Sequence, residues 1–196
     1  MIVAIGDWVL RMSCYELVRL QALGHSELRM SVNVSQIQFR HPEFLEKLKA
    51  ALSDTKIKPQ YLELEITESV AMEDADFMLG TLHMVRGLGV SIAIDDFGTG
   101  YSSLSQLSLL PIDRLKIDRA FVSELDDDVS RGHIASMVIE LGRNLSLTVI
   151  AEGIETEKQA QILRKLGCHE GQGYLYARPL TSVQLREWLE SRRDFR

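Results

Sequence analysis

Val90-Ser91-Ile92-Ala93-Ile94-Asp95-Asp96-Phe97-Gly98-Thr99-Gly100 joins a short apolar run to two adjacent carboxylates and a glycine-broken loop. The run Val90 to Ile94 is short, rich in β-branched residues and uncharged, which predicts a strand buried on both faces. Adjacent carboxylates at the end of such a strand repel each other and are costly to desolvate unless a cation balances them. Mg²⁺ or Mn²⁺ suits paired carboxylates beside solvent. Aspartate is equally at home in a turn or at a helix N-cap, so the dipeptide alone leaves both readings open.

The pattern recurs along the chain. Leu28-Arg29-Met30-Ser31-Val32 leads to Asn33, and Tyr61-Leu62-Glu63-Leu64 leads to Glu65, with Thr67 and Glu68 just beyond. Arg114-Leu115 leads to Lys116 and Asp118, and Leu147-Thr148-Val149-Ile150-Ala151 leads to Glu152 and Glu155. In the last run, Gly171 to Tyr176, the polar residue Gln172 comes near the start. Helix-length amphipathic stretches lie between the runs. Met78, Leu82 and Val85 share one helical face, as do Ile134, Val138 and Leu141; Phe44, Leu48 and Leu52 follow Pro42, read as a first-turn proline. Strand and helix alternating every 25–35 residues or so predict a parallel sheet with helical crossovers. Polar side chains at the ends of several parallel strands predict the mouth of a TIM-type (β/α) barrel.

Asn33-Val34-Ser35, Glu65-Ile66-Thr67-Glu68-Ser69, the stretch Asp95 to Leu104, Leu115-Lys116-Ile117-Asp118, Ala151-Glu152-Gly153-Ile154-Glu155 and Gly171-Gln172-Gly173-Tyr174 resemble, in order, the motif series of the EAL domain. That family consists of bacterial cyclic-di-GMP phosphodiesterases and their non-catalytic relatives. The likeness runs from about Ile2 to about Trp188 and treats residues 1–196 as one domain. The sequence contains no Glu-Ala-Leu tripeptide. The expectation is therefore an α/β, TIM-type barrel that is incomplete, with about six of the family's eight strands and the N-terminal ones lacking, in a fragment or a truncated relative.

The resemblance implies metal-dependent hydrolysis of cyclic-di-GMP to linear pGpG, weak or absent in this chain alone because one metal-binding glutamate is missing. The alternative is a non-catalytic module that binds cyclic-di-GMP or a protein partner. Asn33, Glu65, Asp95 and Asp96 would hold two Mg²⁺ or Mn²⁺ ions, with Asp95 shared. Lys116 would face the attacking water or the developing charge, or else simply balance the carboxylates. Glu152 would be the general base or orient water, assisted by Gln172. Glu68 and Glu155 would support the ligands, Glu68 by steadying the loop after Asp96; Thr67, Gly98 and Ser102 would lie on the substrate side. That loop and the following helix would add dimer contacts, and exposed barrel edges would favour self-association.

Composition narrows the alternatives. A net charge of −6 argues against a basic groove for DNA or RNA. The two cysteines, Cys14 and Cys168, form no CxxC pair and read as free thiols. The five histidines show no HxxxH spacing, and Ser102 and Ser103 lack a nucleophile elbow. Gly98-Thr99-Gly100 lacks the lysine of a P-loop, and Asp126-Asp127-Asp128 reads as a solvated loop. No apolar run is long enough to span a membrane, and the N-terminus lacks the basic flank of a signal peptide, so the expected location is the cytoplasm.

Overall fold

The computed structural model describes residues 1–99, 104–126 and 132–192. Six strands form one curled sheet in sequence order: β1 Met30–Asn33, β2 Leu62–Thr67, β3 Ser91–Phe97, β4 Arg114–Ile117, β5 Thr148–Ala151 and β6 Glu170–Gly171. Every neighbouring pair is parallel. The crossovers are helical: α1 Ile2–Ala22 precedes β1, and α2 Gln36–Phe39 with α3 Phe44–Thr55 precede β2. Next come α4 Glu68–Met72 and α5 Ala75–Gly87 before β3, then α6 Leu104–Leu107 before β4. Helices α7 Arg119–Ser123 and α8 Gly132–Asn144 precede β5, α9 Glu157–Leu166 precedes β6, and α10 Ser182–Ser191 closes the described chain. The result is the TIM-type half-barrel that the alternation of strands and helices predicts.

Strand alternation divides the sheet into two chemically different faces. Leu62, Leu64 and Ile66 of β2, Ile92 and Ile94 of β3, and Leu115 and Ile117 of β4 belong to one apolar core with the helices. Helix α1 contributes Leu10, Cys14 and Leu17, spaced to share one face, while Leu48 of α3 packs into the same core. Gly6 lets α1 approach the buried Gln38 so closely that a Cβ would collide with its carboxamide. The intervening strand residues line the concave face, and most are polar or charged, among them Ser31, Asn33, Glu63, Glu65, Asp95, Arg114, Lys116 and Glu170, with Ala93 and Ile150 as apolar members.

Three sequence readings shift in detail. Pro42 lies in the turn before Glu43, the N-cap of α3, and is not in its first turn. On α8 the buried side runs through Ala135, Val138 and Ile139, leaving Ile134 41% exposed, because that helix meets the sheet one position round from the expected stripe. The last strand is Glu170–Gly171, and Tyr174–Tyr176 forms a turn. Gln172 therefore follows its strand, as Glu152 follows β5. Cys14 and Cys168 are free thiols, and burial pushes Cys14 up to about 11. Asp126 ends a short 3₁₀ turn, Glu124–Asp126, while Asp127 and Asp128 lie outside the described residues. No helix among the described residues is long and apolar enough to cross a membrane.

Candidate active site

A β-bulge builds the centre of the site. Ile94 pairs with Leu115 and Phe97 with Ile117, so Asp95 and Asp96 together stand opposite Lys116 alone. In a regular strand two consecutive side chains would point to opposite faces. Here Asp96 takes a left-handed backbone, φ 54°, which aspartate tolerates better than most residues. Its backbone N–H donates to Asp95 Oδ1 at 3.0 Å, and its carbonyl accepts from Thr99 Oγ1 at 2.8 Å. Gly98 continues the turn at φ 99°, where an added Cβ would press on the Phe121 ring. Glu68 Oε2 accepts from Gly98 N at 2.8 Å, tying the start of α4 to this loop.

Lys116 lies at the centre of the carboxylates, its side chain 3% exposed. Its Nζ is 2.6 Å from Glu152 Oε1, 2.9 Å from Glu65 Oε2 and 3.0 Å from Asp95 Oδ1. Those contacts match the three donors of an ammonium. Burial works against its charge, but the hydrogen bonds to Glu152 and Glu65 and the charges of those carboxylates together outweigh burial and hold the ammonium above the ordinary lysine range. Burial raises Glu152 above the usual carboxylate range, and Lys116 only partly offsets it. Burial raises Asp96 as well, helped by the charge of Asp95 and a hydrogen bond with Asp118.

The carboxylates outnumber the ammonium, so the mouth keeps an excess of negative charge. Asp95, Asp96 and Glu152 each bring an oxygen within 4.8 Å of the others. Two oxygens across an ion with bonds of ~2.1 Å are about 4.2 Å apart, so small side-chain rotations bring this set to bonding distance. An all-oxygen donor set suits a hard divalent cation. These residues therefore fit a metal ion.

The other sequence-predicted residues surround this centre. Asn33, at the exposed end of β1, stands in register with Glu65. Thr67 is in register with Asp95 and serves as the N-cap position of α4. Gln172 Nε2 donates to Glu152 Oε1 at 2.6 Å. Glu155 is exposed and lines, with Glu152, Gln172, Arg119 and Tyr174, a cleft of about 370 Å³ beside the mouth. Ser102 lies outside the described residues. Sequence reasoning gave no site role to Asp118. Its Oδ1 caps α7 by accepting from Ala120 N at 2.7 Å, while its carboxyl also reaches Asp96. Its position two residues after Lys116 on the same strand path was the available signal.

Beneath this layer lies a second one. Arg114 Nη1 donates to Glu170 Oε2 at 2.7 Å, and Ser31 Oγ donates to Glu63 Oε1 at 2.8 Å. Arg114 Nε sits 3.0 Å from Glu63 Oε2, an ion pair that lacks the alignment of a hydrogen bond. Burial raises Glu63 above the usual carboxylate range despite Ser31 and Arg114. Sequence reasoning placed Arg114 merely at the start of an apolar run.

Comparison with known proteins bears on this geometry. The EAL domain family matches residues 1–179. The chain is 45% identical over 185 residues to the bifunctional diguanylate cyclase/cyclic di-GMP phosphodiesterase MucR of Pseudomonas aeruginosa, covering 94% of this chain and 27% of MucR. It is 40% identical over 193 residues to the cyclic di-GMP phosphodiesterase NbdA of the same organism, covering 98% of this chain and 25% of NbdA. The chain thus spans about a quarter of the length of these curated relatives. Among solved structures, the PaMucR phosphodiesterase in its c-di-GMP complex superposes with a TM-score of 0.91 at 45% identity, covering 94% of this chain and 74% of that one. The EAL domain of Mycobacterium smegmatis DcpA gives 0.89 at 39% identity, covering 95% and 84%.

Proposed function

The chain belongs to the EAL domain family, and from that premise we propose that its carboxylate-rich mouth is a metal-dependent site for hydrolysing cyclic-di-GMP to linear pGpG. The observation that carries the proposal is Lys116 held within 3.0 Å of Glu65, Asp95 and Glu152 at the ends of four neighbouring strands. The similarity to MucR and NbdA supports the choice of substrate.

Asn33, Glu65, Asp95 and Asp96 are the residues we assign to hold Mg²⁺ or Mn²⁺. Bound there, such ions supply a nucleophilic hydroxide at neutral pH and neutralise phosphoryl charge. The protein's own contribution is positional and electrostatic. Glu152 accepts from Lys116 and Gln172 and is raised by burial, which suits a group that orients a water and takes its proton. Lys116, kept protonated by its neighbours, stabilises charge that develops on the phosphoryl oxygens. Asp118 restrains Asp96, Glu68 restrains the turn at Gly98, and Glu155 extends the mouth into the neighbouring cleft. Thr67, Gly98 and Ser102 are assigned to the substrate side.

The second reading is a module that binds cyclic-di-GMP or a protein partner without turnover. The absence of Glu-Ala-Leu from the 196 residues favours it. Under the first reading the same absence makes hydrolysis by this chain slow. Self-association and a cytoplasmic location belong to both readings.

Purified chain incubated with cyclic-di-GMP and Mn²⁺ or Mg²⁺, with products resolved by chromatography, separates the readings. The expected result is slow, metal-dependent appearance of pGpG that Asp95→Asn abolishes. Binding by calorimetry without turnover supports the second reading. Neither binding nor turnover overturns both.

A further inference from the structure

We propose that Arg114 is a positioning residue: spanning the concave interior from β4 to β2 and β6, it fixes the edge strand β6 and thereby the Gln172 carboxamide on Glu152. The inference rests on the proposed function only for its link to turnover.

The geometry divides the interior into two tiers carried by the same strands. Side chains two residues apart on a strand share a face. On β4, Arg114 precedes Lys116; on β2, Glu63 precedes Glu65; and at β6, Glu170 precedes Gln172. The lower tier joins Glu63, Arg114 and Glu170, while the upper tier joins Glu65, Lys116, Glu152 and Gln172. One guanidinium thus connects the strands that carry three of the four upper-tier side chains.

Strand β6 is the element that most needs this restraint. It has two residues, both exposed, and among the described residues it pairs with β5 alone. Its backbone is held by Gln172 N donating to Ala151 O at 2.9 Å and Ile154 N donating to Gln172 O at 3.0 Å. Those bonds fix the path of the strand along β5. They do not fix how far β6 leans towards the interior, and the Arg114–Glu170 contact acts in that direction. A guanidinium suits the task because its planar fork can hold two carboxylates in different directions, which an ammonium does with less geometric definition. Arg114 is itself anchored: its side chain is 10% exposed, and Glu63 is 3% exposed and held by Ser31.

The consequence reaches the chemistry through one oxygen. Gln172 Nε2 and Lys116 Nζ both contact Glu152 Oε1 at 2.6 Å. If β6 tilts outward, Gln172 leaves that oxygen, and Glu152 is oriented by Lys116 alone. Displacements of about 1 Å in such arrangements are enough to cost one or two orders of magnitude in rate.

The test uses the full 196-residue chain, labelled with ¹⁵N, and follows the Gln172 side-chain amide, assigned by its loss in Gln172→Glu. The variants are Arg114→Met, Arg114→Lys, Glu170→Gln and the Arg114→Met/Glu170→Gln double. The expected result is that the Gln172 amide shifts, and its hydrogen exchange quickens at least about tenfold, in both Arg114→Met and Glu170→Gln. The double should go no further than Arg114→Met alone, since both remove one contact, and Arg114→Lys should restore part of the effect. Where wild-type chain hydrolyses cyclic-di-GMP, kcat should fall about tenfold with KM within about twofold in both single variants. Glu170 sits half-exposed on an edge, so Glu170→Gln keeps the test open if Arg114→Met does not fold. A Gln172 amide unmoved in folded Glu170→Gln overturns the proposal. So do Arg114→Met and Glu170→Gln effects that add in full. A wild type without turnover counts against the proposed function and leaves the amide comparison decisive for Arg114.

Discussion

One residue too many on β3 lets two adjacent aspartates serve the same cavity. Without the bulge opposite Lys116, Asp96 would point away from Asp95. The sequence placed both carboxylates at a strand end, but not the bulge, because register is set by pairing with β4 and by the left-handed turn at Asp96. It likewise could not pair Arg114 with Glu170, which lies 56 residues away and meets it only through the curl of the sheet. Lys116 can be tested at this scale. Lys116→Met leaves the buried Glu65 and Asp95 and the partly buried Glu152 with no ammonium between them. Breaking a buried pair by removing one partner costs about 3–5 kcal/mol. Glu152, already raised by burial and only partly offset by Lys116, would then ionise at a still higher pH in the folded chain than in the unfolded one. The folded state therefore binds more protons, so the deficit is largest above the folded values and shrinks as pH falls towards the unfolded range near ~4. Urea unfolding should show the larger loss at pH 8 and a smaller one at pH 5, with Mn²⁺ restoring part of it by binding the folded state. A loss that is equal at both pH values, and indifferent to Mn²⁺, would remove the charge argument.

Helix α9 shows how an element's own chemistry serves the mouth. Thr156 and Gln159 form a capping box: Thr156 Oγ1 accepts from Gln159 N at 3.1 Å, and Gln159 Oε1 accepts from Thr156 N at 3.1 Å and from Glu155 N at 2.8 Å. The cap therefore sets the backbone of Glu155, three residues beyond Glu152. The Thr-x-x-Gln spacing was present in the sequence and readable as a helix start. That Gln159 is buried and also holds Glu155 was not, because burial depends on how α9 packs against its neighbours. The same limit explains α8, whose spacing identified a helix but not which of two adjacent stripes faces the sheet. Thr156→Ala should cost about 1 kcal/mol. Gln159→Leu should cost more, about 1–3 kcal/mol, because it leaves two partly buried N–H groups without that acceptor. Denaturant midpoints of the two variants check the order. Equal losses would mean that the Glu155 contact adds nothing to the ordinary cap.

At the scale of the whole molecule, topology was the most legible feature, because a polar residue ending each apolar run repeats often enough to define a parallel sheet with one functional rim. What the repeats do not convey is how the sheet's two edges are covered. Among the described residues β1 pairs only with β2 and β6 only with β5, so both edges carry backbone donors and acceptors that no other described strand pairs. Helix α1 adds an exposed stripe of Ile5, Trp8, Met12 and Tyr15, between 46% and 64% exposed and spaced to lie along one face. Apolar stripes and bare strand edges on one small chain favour association with a second copy of itself. Light scattering coupled to size-exclusion chromatography at micromolar concentration should therefore give a mass above that of one 22.2 kDa chain. Trp8→Glu places a charge in the middle of the stripe and should shift the distribution towards monomer while leaving the fold intact, since Trp8 is mostly exposed already. A wild-type chain that elutes as a monomer with a cooperative melt would rule out self-association. A Trp8→Glu chain that associates as strongly as wild type would move the contact from α1 to the strand edges, where a charged substitution on the outer side of β1 becomes the next probe.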